Sequence, residues 1–142
     1  MELLNDALAP PMAAMLLITL LVWITMFIRR VGYMSANNIN AEQLKSPADT
    51  QALIPGDASA PSNNFKNLLE MPVIFYVTCL YLTVFGQVDS LHITCAWLFV
   101  AGRALHSLIH CSYNRVMHRF LVYLLSSLAV WVMVVRAFIA AL

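Results

Sequence analysis

Charge is scarce in this sequence. Only 11% of its 142 residues are Asp, Glu, Lys or Arg, while 61% are hydrophobic and the mean hydropathy is +0.77. An ordinary soluble domain carries about 25% charged residues, so the shortage excludes a normal water-coated surface and makes lipid the solvent for most of the chain. A basic excess is lacking too. The net charge is +1 and the pI near 7.8, which excludes the positive field that nucleic-acid binding needs. Cysteine is limited to Cys79, Cys95 and Cys111, an odd number that cannot be fully paired within one chain and whose spacing is not that of a zinc ligand set. Lys and Arg are missing ahead of the first apolar run, where Glu2 and Asp6 stand instead. A secretory signal requires a basic segment there, so the run is expected to be a retained span. A spanning helix uses about 20 residues, so four spans and their connections exhaust the chain and leave no room for a separate soluble domain.

What is present is four apolar segments. The first is expected over residues 9–30, uncharged from Pro10 to Ile28 and closed by Arg29-Arg30. Residues 31–62 turn polar, with Asn37-Asn38, Ser46-Pro47, Pro55-Gly56 and Pro61-Ser62 acting as breakers, and are expected to form a long loop. Ser62 or Asn63 is a suitable N-cap for a second helix over 63–86. In that helix Pro72 removes the bond to the Leu68 carbonyl and is expected to produce a kink. A short turn containing Asp89 leads to a third helix over 91–111, and a second short connection to a fourth over 118–140. The expectation is an all-α integral membrane protein, a four-helix up-down bundle. Arg29, Arg30, Lys45, Lys66, Arg115 and Arg119 fall on one side and Arg136 alone on the other. The positive-inside rule then puts the long loop in the cytoplasm and both termini outside. Trp23, Trp97, Tyr113 and Trp131 read as belt or packing residues.

A charge at the centre of a spanning helix costs about 2.5–3.5 kcal/mol on insertion scales and generally faces a partner or a wet cavity. Arg103 is such a charge. With His106 and His110 it forms an i, i+3, i+7 stripe on one helix face. Asn63, Asn67 and Glu70 form a second stripe on helix two, and Arg115, Arg119 and Tyr123 a third if helical geometry reaches back to Arg115. Antiparallel topology brings all three to one depth, where interfacial anchoring of helix ends is the competing explanation. His106 and His110, with Cys111 and His118 nearby, have metal-compatible spacing but no supporting carboxylate, so no metal is assigned.

The segments Asn63-Asn64-Phe65-Lys66-Asn67-Leu68-Leu69-Glu70-Met71-Pro72, Arg103-Ala104-Leu105-His106-Ser107, Tyr113-Asn114-Arg115 and Arg119-Phe120-Leu121-Val122-Tyr123 resemble the MAPEG family, the membrane-associated proteins in eicosanoid and glutathione metabolism. The resemblance covers helices two to four and looks like that of an outlying, bacterial-type branch, which would place the chain in a bacterial inner membrane. It implies a homotrimer with glutathione bound between neighbouring subunits near the cytoplasmic face. By that resemblance, Lys66, Asn67 and Glu70 would hold the tripeptide, with Glu70 on its amino group, and Arg103, His106, His110 and Tyr123 would complete its site. Arg119 would stabilise the thiolate. The chain departs from the family pattern in having Lys66 where arginine is usual, Asn63 where a further arginine stands, His110 where tyrosine is frequent, and Pro72 two residues after Glu70 rather than three.

A guanidinium beside a thiol lowers its pKa from about 8.5 and raises the nucleophilic fraction at neutral pH. The implied activity is a glutathione-dependent transferase or peroxidase acting on lipophilic electrophiles or lipid hydroperoxides. A non-catalytic lipid-binding protein of the same fold is the alternative, favoured by the weakened basic set. A transporter fits less well, because the chain lacks an internal repeat and Gly-broken helix pairs.

Overall fold

The computed structural model describes residues 6–142, so Glu2 lies outside the described residues. These residues are helical, with no strand among them. Six α-helices follow in order: α1 (Ala9–Ala36), α2 (Pro47–Leu53), α3 (Gly56–Leu68), α4 (Met71–Val84), α5 (Ser90–Cys111) and α6 (Val116–Ala140). Four stretches are long and apolar enough to cross a membrane, namely Asp6–Ala36, Gly56–Val84, Ser90–Cys111 and Val116–Ala140. The protein is thus a multi-pass membrane protein.

Helix α5 is the central one. Its buried positions, including Cys95, Ala96, Phe99, Val100, Arg103, His106 and His110, recur every three to four residues, the period that keeps one face inward. Half of its most apolar window is buried, against 17% of that of α1, so α1 presents most of its surface to lipid. The core joins Met15 and Val22 of α1, Phe75, Cys79 and Leu82 of α4, Phe99 of α5, and Val130 and Met133 of α6. The Phe75 and Phe99 ring centroids are 4.7 Å apart. Helices α5 and α6 approach closely at Gly102, where an added Cβ would lie 2.6 Å from the Ser126 Cβ. Small residues at such a crossing let backbones pack when no hydrophobic effect drives association in lipid. Trp23, Trp97, Tyr113 and Trp131 are all exposed.

The expected polar loop is the largest departure from the sequence reading. Helix α1 runs to Ala36, six residues past the expected end, because nothing from Val31 to Ala36 breaks it. It stops where Asn38 takes a left-handed φ of 54°. Ser46-Pro47, read as a breaker, starts α2 instead. The Ser46 Oγ accepts from the Asp49 N–H at 3.1 Å, and the Asp49 carboxylate accepts from the Ser46 N–H at 3.1 Å. That is a capping box with proline at the first helical position, where the missing N–H costs nothing. Helix α3 starts at Gly56 rather than at Asn63, with Pro55 as N-cap and Pro61 inside it. Neither Ser62 nor Asn63 is a cap.

Pro72 does more than kink the second span. The chain breaks at Leu69–Glu70, and Pro72 becomes a first-turn residue of a new helix, α4. Glu70 occupies the N-cap position with φ −100° and ψ −96°. The break leaves the last carbonyls of α3 without helical donors, and one of them is taken by an arginine described below.

The turn between α4 and α5 is tightly closed. Gly86 sits at φ +63°, its N–H reaches the Thr83 carbonyl at 3.2 Å, and the Gln87 N–H reaches the Leu82 carbonyl at 2.9 Å. This pair of bonds is a Schellman ending, which needs a left-handed residue that glycine adopts without steric cost. Asp89 then caps α5, its Oδ1 accepting from the His92 N–H at 2.9 Å.

Candidate functional site

At the end of the bundle opposite this turn, the break between α3 and α4 meets the connection between α5 and α6. A cavity of about 550 Å³ opens there. Asn63, Lys66, Asn67 and Glu70 line one side, and His110, Asn114 and Arg119 the other, with Gly56 and Asp57 closing the rim. Of the residues expected from sequence, Lys66, Asn67, Glu70, His110 and Arg119 therefore line one cavity. Asn63 joins them as the helix-two stripe anticipates. Arg115 does not. It is extended at φ −70° and ψ 120°, one residue before α6, and exposed, so the stripe on α6 begins at Arg119.

Arg103, His106 and Tyr123 stand behind the wall rather than on it. Arg103 is wholly buried. Its Nη2 donates to the Asn67 carbonyl at 3.0 Å, and its guanidinium carbon lies 5.5 Å from the centroid of the Tyr123 ring. The arginine thus recovers a carbonyl orphaned by the helix break and stacks its cation over an aromatic face, at the negative end of the α3 dipole. The price in desolvation is real, since its Nε and Nη1 have no hydrogen-bond partner. His106 is buried with its Nδ1 3.2 Å from the Arg119 carbonyl. A carbonyl can only accept, so the proton belongs on Nδ1, and Nε2 is left without a partner. The His106 and His110 rings meet edge to face at 5.6 Å, and His106 and Tyr123 are 5.9 Å apart. The rings of His106 and Tyr123 and the Arg103 guanidinium therefore form the floor under Asn67, His110 and Arg119.

Asn114 and Asn64 are site-shaping residues that the sequence reading did not single out. Asn114 takes a left-handed φ of 48°, and its N–H donates to the Ile109 carbonyl at 2.8 Å, which ends α5. Its side-chain oxygen accepts from the Arg119 Nη1 at 2.7 Å and so aims that guanidinium. The signal was available: asparagine in a short interhelical turn tolerates the left-handed conformation. Asn64, not Asn63, is the buried asparagine of α3. Its Nδ2 donates to the Cys111 Sγ at 3.6 Å, and its Oδ1 is 3.5 Å from the Ser107 hydroxyl. Arg29 donates from Nη2 to the Cys111 carbonyl at 2.6 Å, tying α1 to the end of α5.

The electrostatics of the cavity are unusual for so small a chain. Asp57, Lys66, Glu70 and Arg119 all line it, yet among the described residues none of the four takes part in an ion pair. The ion pairs among the described residues are Lys45–Glu42 and Arg136–Asp89, with the His92 Nδ1 3.0 Å from an Asp89 oxygen. Two cations and two anions face one space without neutralising each other. Such an arrangement suits a zwitterionic ligand that presents both signs of charge. Among the described residues no cluster of three or more His, Cys, Asp or Glu side chains is placed to hold a metal, and the three cysteines are free thiols.

Comparison with known proteins gives one match. The model of the MAPEG family fits residues 8–139, a wider span than the resemblance of helices two to four because it includes the first helix. No curated protein and no solved structure matches the chain.

Proposed function

The chain belongs to the MAPEG family, which includes glutathione transferases and peroxidases as well as non-catalytic members, and on that premise we propose a membrane-bound, glutathione-dependent transferase or peroxidase. Its substrates are lipophilic electrophiles or lipid hydroperoxides. The observation that carries this reading is the cavity lined by Asp57, Lys66, Glu70 and Arg119, none of which is in an ion pair among the described residues. Glutathione is a zwitterion, with one ammonium and two carboxylates. Glu70 takes the ammonium, while Lys66 and Asn67 hold a carboxylate and an amide. Lysine grips a carboxylate as a point charge rather than through the two-pronged contact of arginine, so the affinity is expected to be modest.

Arg119, held by Asn114, faces the thiol. Its positive charge favours loss of the thiol proton to water and leaves a thiolate. With a carbon electrophile, the sulfur lone pair forms the new S–C bond as the leaving group departs with its electron pair. With a hydroperoxide, the thiolate attacks the distal oxygen, the O–O bond breaks, and the alkoxide takes a proton to become an alcohol. A second glutathione then displaces hydroxide from the sulfenic acid to give the disulfide and water.

The lipophilic partner comes from the bilayer. An apolar groove of about 360 Å³ lies between α1 and α5, walled by Ile18, Leu21, Val22, Ala104 and Leu108. Ser107 and Cys111 at its base contact Asn64, one residue from the polar cavity. The same groove favours the second reading, a non-catalytic lipid-binding protein. In either case a homotrimer is proposed, with the basic end in the cytoplasm of a bacterial cell and both termini outside. Conjugation of glutathione to 1-chloro-2,4-dinitrobenzene by purified protein tests the first reading. Turnover that Arg119→Ala abolishes supports it. A stoichiometrically co-purifying lipid with no thiol turnover supports the second.

A further inference from the structure

A second polar cavity lies next to the first and shares Gly56, Asn63 and Lys66 with it. It measures about 840 Å³ and is formed by the end of α1, the segment leading into α2, and the start of α3. Arg30, Lys45 and Lys66 line it from these three separate parts of the chain, along with Thr50, Ser59 and Ser62, of which Thr50 and Ser59 donate their hydroxyl protons to the Ser46 and Gly56 carbonyls. Among the described residues no carboxylate lines it, in contrast to the mixed charge of its neighbour. The side chains of Arg30 and Lys66 have no hydrogen-bond or ion-pair partner among the described residues. Lys45 has only Glu42 at 3.5 Å, with both side chains about three-quarters exposed (74% and 80%), and a pair so exposed is worth little.

The depth of this cavity is set by the sequence. Arg30 follows Arg29 at the close of the uncharged run from Pro10 to Ile28, which places its guanidinium where hydrocarbon gives way to headgroups. Helices α2 and α3, folded where an open loop was expected, bring Lys45 and Lys66 to the same place. Single basic residues at helix ends ordinarily signal topology. Three of them converging on one concave space, with no carboxylate among its described lining residues, have the composition of a phosphate site.

We infer that this cavity binds a phosphate ester at the membrane interface, with Arg30 and Lys45 as its dedicated cations and Lys66 shared with the adjacent cavity. The chemistry is that of an anionic phospholipid headgroup or of a soluble phosphate monoester. The inference is independent of the thiol reading, because lipid or phosphate retention and thiol turnover are measured separately.

The test uses delipidated full-length protein in detergent, titrated with phosphatidylglycerol, phosphatidylcholine or sn-glycerol 3-phosphate and read by native mass spectrometry. Phosphatidylglycerol is expected to bind about tenfold more tightly than phosphatidylcholine, and more weakly as salt is raised. The Arg30→Gln/Lys45→Gln double variant should lose about tenfold or more of that affinity, at about 1 kcal/mol for each basic residue near an anionic surface. Arg115→Gln removes an exposed charge at the same end that lines neither cavity and should change it less than twofold. Should the double variant fail to fold, Lys45→Gln alone, in an exposed segment, is expected to lose several-fold. Binding of sn-glycerol 3-phosphate with the same sensitivity identifies soluble phosphate esters as the source. Binding of phosphatidylglycerol without it identifies the lipid headgroup. Equal affinity for the two lipids with no binding of sn-glycerol 3-phosphate overturns the inference, as does an Arg115→Gln loss as large as that of the double variant.

Discussion

The bundle has a polar cluster at each end, and the two are built on opposite terms. At the turn between α4 and α5, Asp89 caps a helix, lies 3.0 Å from the Nδ1 of His92, and pairs with Arg136 of α6 across 47 residues of sequence. Every charge there has an opposite charge beside it, and the turn is closed by a Schellman ending. At the other end the second span is broken at Glu70, and four charges line a cavity without an ion pair among the described residues. A buried or interfacial charge that is compensated within the chain holds helices together. Charges of both signs that are held apart are, on the proposed reading, available to a ligand from outside the chain. The difference separates Arg136, which is structural, from Arg119, although both lie on α6.

The largest effect expected from breaking this contrast is at Arg119. Arg119→Ala should lower the rate of glutathione conjugation by about 100-fold or more, the scale of losing one preorganised charge stabiliser. Its unfolding midpoint should stay close to that of the wild type, since few contacts are lost. Steady-state kinetics and a melting curve on the same preparation check both halves.

Arg103→Met comes next and should do the reverse in part. It leaves the Asn67 carbonyl without its donor, which costs about 1–3 kcal/mol, so the midpoint should fall by several degrees. The glutathione KM should rise more than kcat falls, because Asn67 and Glu70 are no longer held at the break. Recovery of part of the KM by Arg103→Lys would mark a positioning residue, whereas a midpoint shift with unchanged KM would mark a purely structural one.

At the opposite end the effects are smaller. Asp89→Asn and Arg136→Ala should each cost about 0.2–1 kcal/mol, because both side chains are partly exposed and the pair is screened. A double-mutant cycle should show that their effects are coupled, with conjugation rates unchanged. An effect of either variant on conjugation would erase the distinction between the two ends.

The smallest effect is on pH dependence. The His92 backbone N–H, aided by the His92 ring and Arg136 and opposed by partial burial, holds the Asp89 carboxyl below its usual value. A carboxyl lowered on folding stabilises the fold above its unfolded pKa, about 3.9, and that contribution is lost as the pH falls through the folded value. Stability of the wild type should therefore decline more steeply below about pH 4 than that of Asp89→Asn, as melting curves across that range would show.

Much of this contrast was legible in the sequence. The four apolar runs, the periodic inward face of α5 and the convergence of Asn67, Glu70, His110 and Arg119 follow from helical spacing and antiparallel order alone. The long polar segment was misread because Ser46-Pro47 and Pro55-Gly56 have two meanings. Proline ends a helix from within but starts one from its first turn, and only the reciprocal bonds between Ser46 and Asp49 decide which applies. The full break at Glu70 was read as a kink, because the loss of one bond at Pro72 does not reveal that Arg103 can capture a freed carbonyl. Asn64, Asn114 and the pairing of Arg136 with Asp89 depend on contacts between residues tens of positions apart or on a left-handed turn, neither of which periodicity reports.

A thermal-shift titration with glutathione tests most directly whether the unpaired end is a binding site. A ligand that binds only the native state stabilises it by about 1.4 kcal/mol at ten times its Kd. The expected result is a saturable rise in the midpoint of the wild type, abolished in Arg119→Ala and Glu70→Gln and preserved in Asp89→Asn and Arg136→Ala. No shift in the wild type at millimolar glutathione, or an equal shift in all four variants, would contradict the assignment of the site.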